Sequence, residues 1–168
     1  MLLKGTDMNW IAENTKINWL LSVFGFAKIP MLFMCRPKIL ALNNEHCVVK
    51  IPLRRRTKNH ENCMYIAALT VGADIAGGLL SIYHMKDDRK RARFLFKDCN
   101  AQYLKRAEGD VLFTCKDGPI LAEMVDRAKQ TGERQNQPVS VVATVPSKLG
   151  DTPVAVFTLT LSVKIKPD

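Results

Sequence analysis

The chain has 168 residues, enough for one domain with a substantial core, and 47% of them are hydrophobic, so intrinsic disorder and low complexity are excluded. The formal net charge of +9 indicates an anionic partner, such as a phosphate-rich ligand, nucleic acid or a membrane surface, or simply a soluble surface. Every long apolar run is interrupted and the N-terminus lacks a signal-peptide pattern, so we expect a cytoplasmic protein with no membrane partner.

The cysteines and histidines argue against both disulfides and metal sites. The five cysteines are odd in number and never closer than twelve residues, which favours reduced thiols over a disulfide framework or a zinc site. The three histidines show no metal-ligand spacing. We therefore expect neither a metal nor a bound cofactor.

The first predicted elements are a helix and two strands. Residues 15–27 form a short apolar helix that Pro30 ends, and residues 1–30 are interpreted as an N-terminal helical extension of a single domain spanning 1–168. Residues 38–42 and 46–53 read as two strands joined by a turn at Asn43 and Asn44. Pro52 places the second strand at an edge or a bulge.

The most distinctive segment is a long apolar helix predicted from Cys63 to Tyr83, with a length of about 30 Å. It is apolar on nearly every side, so other elements must wrap around it. Helical spacing aligns one stripe of mostly small residues, which lets a backbone or a ligand approach closely: Ala67, Thr70, Val71, Asp74, Gly77, Gly78 and Ser81.

The remaining sequence is mostly β. Residues 93–97 and 101–105 predict one long strand bent near Asp98, and residues 110–115 predict another. A helix then begins at Asp117 and ends near Gly132, followed by strands over 138–147 and 154–165 with a hairpin turn at 148–152. This order predicts an α+β protein in which an antiparallel sheet curls around the long helix, with one further helix between the later strands.

Two polar residues near the long helix are candidates for chemistry. Asp74 lies in the middle of the apolar helix, where desolvation raises a carboxyl pKa toward the range of a general base; alternatively it is a structural Asp bonded to backbone. Asn59 precedes the helix, and its alternative role is capping or turn formation. The backbone amides of Met64, Tyr65 and Ile66 are expected to be free donors that form an oxyanion site.

The segment that carries these residues resembles the signature of the hotdog-fold thioesterases, most closely the phenylacetate-degradation type and its uncharacterised bacterial relatives. The resemblance rests on Asn59-His-Glu-Asn-Cys-Met-Tyr-Ile-Ala-Ala-Leu69, Gly72-Ala-Asp74 and Gly77-Gly78. It implies a hotdog fold and hydrolysis of acyl-CoA thioesters by water, without metal or a covalent serine. In this family an Asn or His precedes the central helix and an Asp or Glu follows about fifteen residues later, as Asn59 and Asp74 do.

The chain departs from the family at the start of the helix. Ile66 and Ala67 stand where Gly-Gly is common, and Tyr65 stands where a His is frequent. The bulkier Ile66 is expected to narrow the pocket for the thioester carbonyl. His60, Met64, Tyr65 and Ile66 are the residues expected to bind the substrate or its oxyanion.

The distance between Asn59 and Asp74 predicts a shared site. Helix rise separates them by about 15 Å, too far for both to touch one thioester within one subunit. The family resemblance implies a homodimer, possibly a tetramer, and antiparallel helices in such a dimer would bring Asn59 of one subunit beside Asp74 of the other. Two basic clusters are candidates for binding the phosphates of CoA: Arg54, Arg55 and Arg56 before the helix, and Arg91 and Arg93 after it.

Other functions stay open at this point. The main alternative is a non-catalytic module that binds acyl-CoA or regulates through it, since hotdog domains also serve as sensors and dehydratases. A dehydratase is less favoured because His60 is in no evident dehydratase motif. A nucleic-acid-binding role is disfavoured because the basic clusters lack aromatic interleaving and any recognisable DNA-binding frame.

Overall fold

A computed structural model describes residues 5–86 and 88–166, with side chains from Thr15 onward. In chain order the elements are α1 Gly5–Lys28, α2 Pro30–Cys35, β1 Lys38–Leu42, β2 Cys47–Ile51, α3 Ile66–His84, β3 Ala92–Tyr103, β4 Val111–Cys115, α4 Gly118–Thr131, β5 Gln135–Thr144, α5 Pro146–Leu149 and β6 Pro153–Ile165.

The strands form one antiparallel six-stranded sheet in the order β1-β2-β4-β5-β6-β3. The concave face packs against α3, which contacts β2, β4 and β5, while α4 lies beside α3 and covers β5 and β6. The predicted α+β architecture, a hotdog fold with a sheet wrapped around a long helix, is confirmed. β3 and β1 are the two edges of this sheet.

Small residues let α3 lie close to the sheet. Ala73 and Ala76 are fully buried, and a Cβ added to Gly72 would lie 2.3–2.5 Å from ring atoms of Phe113 on β4. No side chain fits between backbone and ring at that distance, so Gly72 sets how closely helix and sheet approach. Among the described residues, α3 is also the one helix long and apolar enough to cross a membrane, but 56% of that stretch is buried inside the protein.

The N-terminal helix is longer than predicted and is followed by a second one. Pro30 does end α1 near Lys28, but it also begins α2, because proline is well tolerated in the first turn of a helix. Asn18 fixes α1 to the sheet edge: its Nδ2 donates to the Ile39 carbonyl at 3.1 Å and its Oδ1 accepts from the Ile39 amide at 2.7 Å. The side chain thus satisfies both backbone groups of one residue of β1.

The later strands follow the predictions with local differences. The bend expected near Asp98 is a register shift between Phe96 and Asp98 where β3 pairs with β6. The hairpin turn predicted at 148–152 does join the antiparallel strands β5 and β6, with the Thr152 amide donating to the Leu149 carbonyl at 3.1 Å, but the one-turn helix α5 precedes it from Pro146. Asp117 is the N-cap residue of α4 by position, but its carboxylate accepts a hydrogen bond from the Ser140 amide at 2.6 Å instead of capping the helix.

Candidate functional site

The loop before α3 is a tight, internally bonded hairpin that starts from Thr57. This side chain is 1% exposed, and its hydroxyl donates to the Pro52 carbonyl at 2.7 Å and accepts from the Arg54 amide at 2.9 Å. The Thr57 carbonyl then accepts from the Tyr65 amide at 2.8 Å. The loop therefore returns to its starting point and delivers the chain into α3 in a fixed direction.

Asn59 organises the tip of this loop. Its side-chain Oδ1 accepts from the backbone amides of Glu61 and Cys63, each at 3.0 Å. The backbone amide of Asn59 donates to the Cys63 carbonyl at 2.9 Å. These bonds form an Asx-type turn that accommodates Asn62 in the left-handed conformation, with φ of 60°. The Oδ1 atom is occupied within the loop, so the Nδ2 group is the part of Asn59 available to donate toward a ligand.

The expectation of three free amides at the start of α3 needs correction. The Met64 amide donates to the Ala107 carbonyl at 2.9 Å and the Tyr65 amide donates to Thr57, so neither is a free donor. Tyr65 is the N-cap, and the first intrahelical bond runs from the Leu69 amide to the Tyr65 carbonyl. The amides that helix geometry leaves without an intrahelical partner belong to Ile66, Ala67 and Ala68, so the free set begins two residues later than predicted and shares only Ile66 with it.

An open cleft of about 440 Å³ lies at this end of α3. The hairpin loop and the first turn of α3 form one wall, and the chain that follows β3 forms the other. The lining residues are Asn59, Glu61, Cys63, Met64, Ile66, Leu69, Tyr103, Leu104, Lys105, Arg106 and Ala107. Three of the predicted site residues, Asn59, Met64 and Ile66, are therefore brought together, whereas His60 and Tyr65 point elsewhere on the surface.

Asp74 lies on the outward face of α3, in line with Thr70 and Val71. Its side chain is exposed in the single chain, yet surrounding protein atoms desolvate it partly, and this burial raises the pKa of its carboxyl group. Burial raises the pKa of the Cys99 thiol on β3, and the charges of Asp98 and then of Asp74 raise it further, so Asp74 lies near this strand. Asp74 therefore faces the space beside edge strand β3.

Asn59 and Asp74 do not meet within one chain. Asp74 is absent from the cleft, and eight residues of helix, about 12 Å, separate it from Ile66. Half-buried Asn59 in the loop and exposed Asp74 on α3 therefore lie at separate surfaces of one chain.

The basic residues divide into two groups at opposite ends of α3. Arg54, Arg55 and Arg56 are exposed on the turn next to Thr57. Arg91 is held in an ion pair with Asp88, which is buried and also contacts Lys129 at 3.0 Å. Arg91 thus has a structural partner, and its contact with a CoA phosphate stays a prediction.

Two cations that line the cleft were missed by the sequence reasoning. Lys105 and Arg106 follow β3, and Arg106 lies 4.0 Å from the carboxylate of Glu61 across the cleft opening. Only the fold brings residues 105–107 beside residue 59, through the Met64–Ala107 backbone bond. The one signal in the sequence that could have suggested Lys105 and Arg106 is that the two cations stand at the end of a predicted strand.

No group of three or more His, Cys, Asp or Glu side chains in the described part of the chain is arranged to hold a metal ion. His60 is largely exposed, with its Nε2 3.6 Å from the Glu61 carboxylate.

Solved structures with this fold include several thioesterases. The chain matches a protein of unknown function from Chlorobaculum tepidum with a TM-score of 0.76 and 14% identity, covering 91% of this chain and 96% of that one. A mutant thioesterase enzyme from Staphylococcus aureus matches with a TM-score of 0.62 and 15% identity over 80% and 98%. Zebra fish thioesterase superfamily member 2 matches with a TM-score of 0.61 and 13% identity over 90% and 96%.

These likenesses establish the hotdog fold, in agreement with the resemblance in the helix motif. No curated protein sequence matches the chain significantly. A family model described as a domain of unknown function, DUF4442, matches residues 17–163, which include every element from β1 to β5 and most of β6. The chain therefore belongs to the DUF4442 family, with a hotdog fold.

Proposed function

We propose that this protein is an acyl-CoA thioesterase in which Asp74 of one subunit activates water at the cleft of the other. The observation that carries the proposal is the cleft at the start of α3, which is lined by both Asn59 and Ile66. Helix geometry leaves the Ile66 backbone amide without an intrahelical partner. The thioesterases among the solved structures of the same fold support the reaction class. The acyl-CoA substrate and the role of Asp74 rest on the motif and the chemistry.

The chemistry needs only groups that the chain supplies. Asp74 accepts a proton from water as the water oxygen attacks the thioester carbonyl carbon, and its raised pKa makes it a stronger base than an ordinary carboxylate. The amides of Ile66 and Ala67, at the positive end of the helix dipole, stabilise the oxyanion, while Asn59 Nδ2 donates to the water or the carbonyl. The C–S bond then breaks, and the proton on Asp74 passes to the leaving CoA thiolate.

Dimerisation through β3 accounts for the separation of the two residues. β3 is an edge strand, and exposed apolar side chains lie along it, including Phe94 and Leu95, 38% and 54% exposed. An unpaired edge with apolar side chains is a template for pairing with another strand. Antiparallel pairing of β3 with its copy would place the two α3 helices side by side in opposite directions, and Asp74 of each subunit would then face the cleft of the other.

Cations around the cleft suit the phosphates of CoA. Lys105 and Arg106 line it, and Arg54 to Arg56 lie on the adjoining turn. In the antiparallel dimer, the start of β3 from one subunit would lie beside its end from the other, which brings Arg93 of one subunit toward Tyr103 of its partner. We therefore assign phosphate binding to these residues, each acting through charge-assisted hydrogen bonds.

The direct test is release of CoA thiol from acyl-CoAs of increasing chain length. We expect wild type to turn over at least one length, and Asp74→Asn to lower kcat by about a hundredfold or more, as for loss of a general base. Asp151→Asn, which removes an exposed carboxylate from the turn after α5, is the matched control and should retain activity. Equal rates for wild type and Asp74→Asn would refute the proposal, and saturable acyl-CoA binding without turnover would establish the binding module instead.

A mixed dimer tests whether the site is shared. Asn59→Ala and Asp74→Ala chains, each inactive alone, are refolded together so that heterodimers form. A shared site restores one intact centre in each heterodimer, whereas a site within one subunit restores none.

Cys99 provides an independent test of the β3 interface. It is the exposed cysteine, whereas Cys35, Cys47, Cys63 and Cys115 are buried. With β3 paired to β3, the two Cys99 residues lie near the two-fold axis, so a short bis-maleimide should link the subunits covalently. The Cys99→Ser variant is the control; absence of the linked dimer in wild type would place the interface elsewhere.

A further inference from the structure

The outer surface of the α1–α2 hairpin is strongly apolar. Of the seventeen large hydrophobic side chains that are exposed in the described residues, nine lie between Trp19 and Met34. Their exposed fractions reach 64% for Trp19 and 71% for Phe26, and the set is Trp19, Leu20, Val23, Phe24, Phe26, Ile29, Met31, Phe33 and Met34. We call this surface the α1–α2 face. A contiguous patch of this kind marks an interaction surface.

The charged side chains that the structure describes on α1, on α2 and at the start of β1 are all positive. Between Thr15 and Leu42 the sequence has four cations and no acidic residue. The four are exposed, and they are Lys16, Lys28, Arg36 and Lys38. Aromatic and aliphatic side chains bordered by lysines and arginines are the composition of a helix that lies in a membrane interface, where long cationic side chains reach the headgroups.

Contacts on its inner side attach the hairpin to the domain, and among the described residues its outer apolar side chains stay exposed. Leu21 and Leu32 anchor the inner side in the core, and Asn18 bonds both backbone groups of Ile39. A cleft of about 390 Å³ opens between the two helices, with Arg36 and Lys38 beside Trp19 and Phe33. Cations next to apolar walls match a lipid that has an anionic headgroup and acyl chains.

The same charges disfavour a second copy as the occupant of this face. An interface between identical patches around a two-fold axis is self-complementary only if each patch has both signs of charge, or none. Here a two-fold contact would bring Lys and Arg against Lys and Arg. An anionic bilayer has the opposite charge and accepts the apolar side chains without needing matched shape.

We propose that the α1–α2 face docks this protein on an anionic membrane surface, with Trp19 and Phe26 inserted at the level of the headgroups. The inference departs from the expectation of no membrane partner and does not depend on the proposed thioesterase activity. Docking is peripheral: α1 and α2 lie on the surface, while α3 stays in the core.

Co-sedimentation with vesicles tests the proposal. We expect the full chain to pellet with vesicles of equal parts phosphatidylcholine and phosphatidylglycerol, to bind pure phosphatidylcholine much more weakly, and to be released partly by salt. The double variant Trp19→Ser/Phe26→Ser should partition about tenfold more weakly or worse, because two large apolar groups no longer insert. Ile120→Ser removes an apolar side chain of α4 that is 43% exposed, and it should bind like wild type.

A charge variant and a measurement of size separate the other outcomes. Lys16→Glu/Lys28→Glu leaves the apolar groups in place and should also lose binding to the anionic vesicles. Failure of wild type to bind, or equal loss in Ile120→Ser, would overturn the proposal. It would equally be overturned if Trp19→Ser/Phe26→Ser only reduced the oligomer size seen by ultracentrifugation, because the face would then be a contact between copies.

Discussion

Replacement of Gly72 by alanine is expected to destabilise the protein, although alanine is the better helix former. The added methyl group would lie 2.3–2.5 Å from three ring atoms of Phe113, whose side chain is fully buried on β4. Because the ring is fully buried in the core, either the ring or α3 must shift to make room. Helix propensity favours Gly72→Ala by about 1 kcal/mol, whereas overpacking in a tight core costs about 1–3 kcal/mol and occasionally more.

The methyl–ring contacts in Gly72→Ala are short enough to place the overpacking cost at or above the upper end of that range. We therefore expect the free energy of unfolding to fall by about 2 kcal/mol or more. For a chain of this size that is a fall in Tm of about 4–8 °C. Gly77→Ala is the matched control in the same helix, because its Cβ would lie 3.4 Å from Val139 Cγ2, an ordinary contact. Its stability should change by less than about 1 kcal/mol, in either direction.

Urea unfolding followed by circular dichroism, with thermal melts, measures both variants. The double variant Gly72→Ala/Phe113→Leu should recover part of the loss, with a coupling of about 1 kcal/mol or more if the methyl–ring contact is the cause. If Gly72→Ala is as stable as Gly77→Ala, or if the double variant shows no coupling, the close approach of α3 to β4 does not determine stability.

Three further outcomes follow from the titratable groups. Burial raises the pKa of Asp74, so its ionised form disfavours folding above that pKa. Asp74→Asn should therefore raise Tm at neutral pH, and the gain should vanish below the ordinary carboxyl pKa of 3.8. The pKa of Asp88 is lowered mainly by its bond to Lys129. Because the cations are more than a third exposed, Asp88→Asn should cost only about 1 kcal/mol at neutral pH, and the difference from wild type should shrink as pH falls below 3.8. Burial raises the pKa of Cys47 to about 12 and the side chain is fully buried, so mass spectrometry after thiol labelling should find it unmodified until denaturant is added.

The main features of the fold are readable from the sequence because they follow from local patterning. The apolar run around Asp74 is too long for a strand and lacks a polar face, which makes it a core helix. The alternation in β6 and the interruption near Asp98 are equally local signals. Pro30 was harder to interpret, because the same residue ends one helix and begins the next.

The candidate site was predicted less completely because it depends on distant partners. The amides of Met64 and Tyr65 are occupied by the carbonyls of Ala107 and Thr57, and no local pattern predicts a bond across 43 residues of chain from Met64 to Ala107. The same bond brings Lys105 and Arg106 to the cleft. Residue type and spacing made Asn59 and Asp74 the candidates, whereas the separate surfaces on which they lie in one chain follow only from the folded arrangement.

The contact between Asn18 and Ile39 also bears on how the protein avoids polymerising. A sheet with two open edges can add strands at both sides, and copies that join head to tail in this way grow into fibres. Here α1 lies along β1 and its Asn18 occupies the outward-facing backbone groups of Ile39, so this side of the sheet is blocked at that residue. Addition of further strands is then limited to the β3 side. When two copies related by a two-fold axis pair through β3, neither keeps a free edge there. One amide side chain thus helps to make association terminate at a finite size.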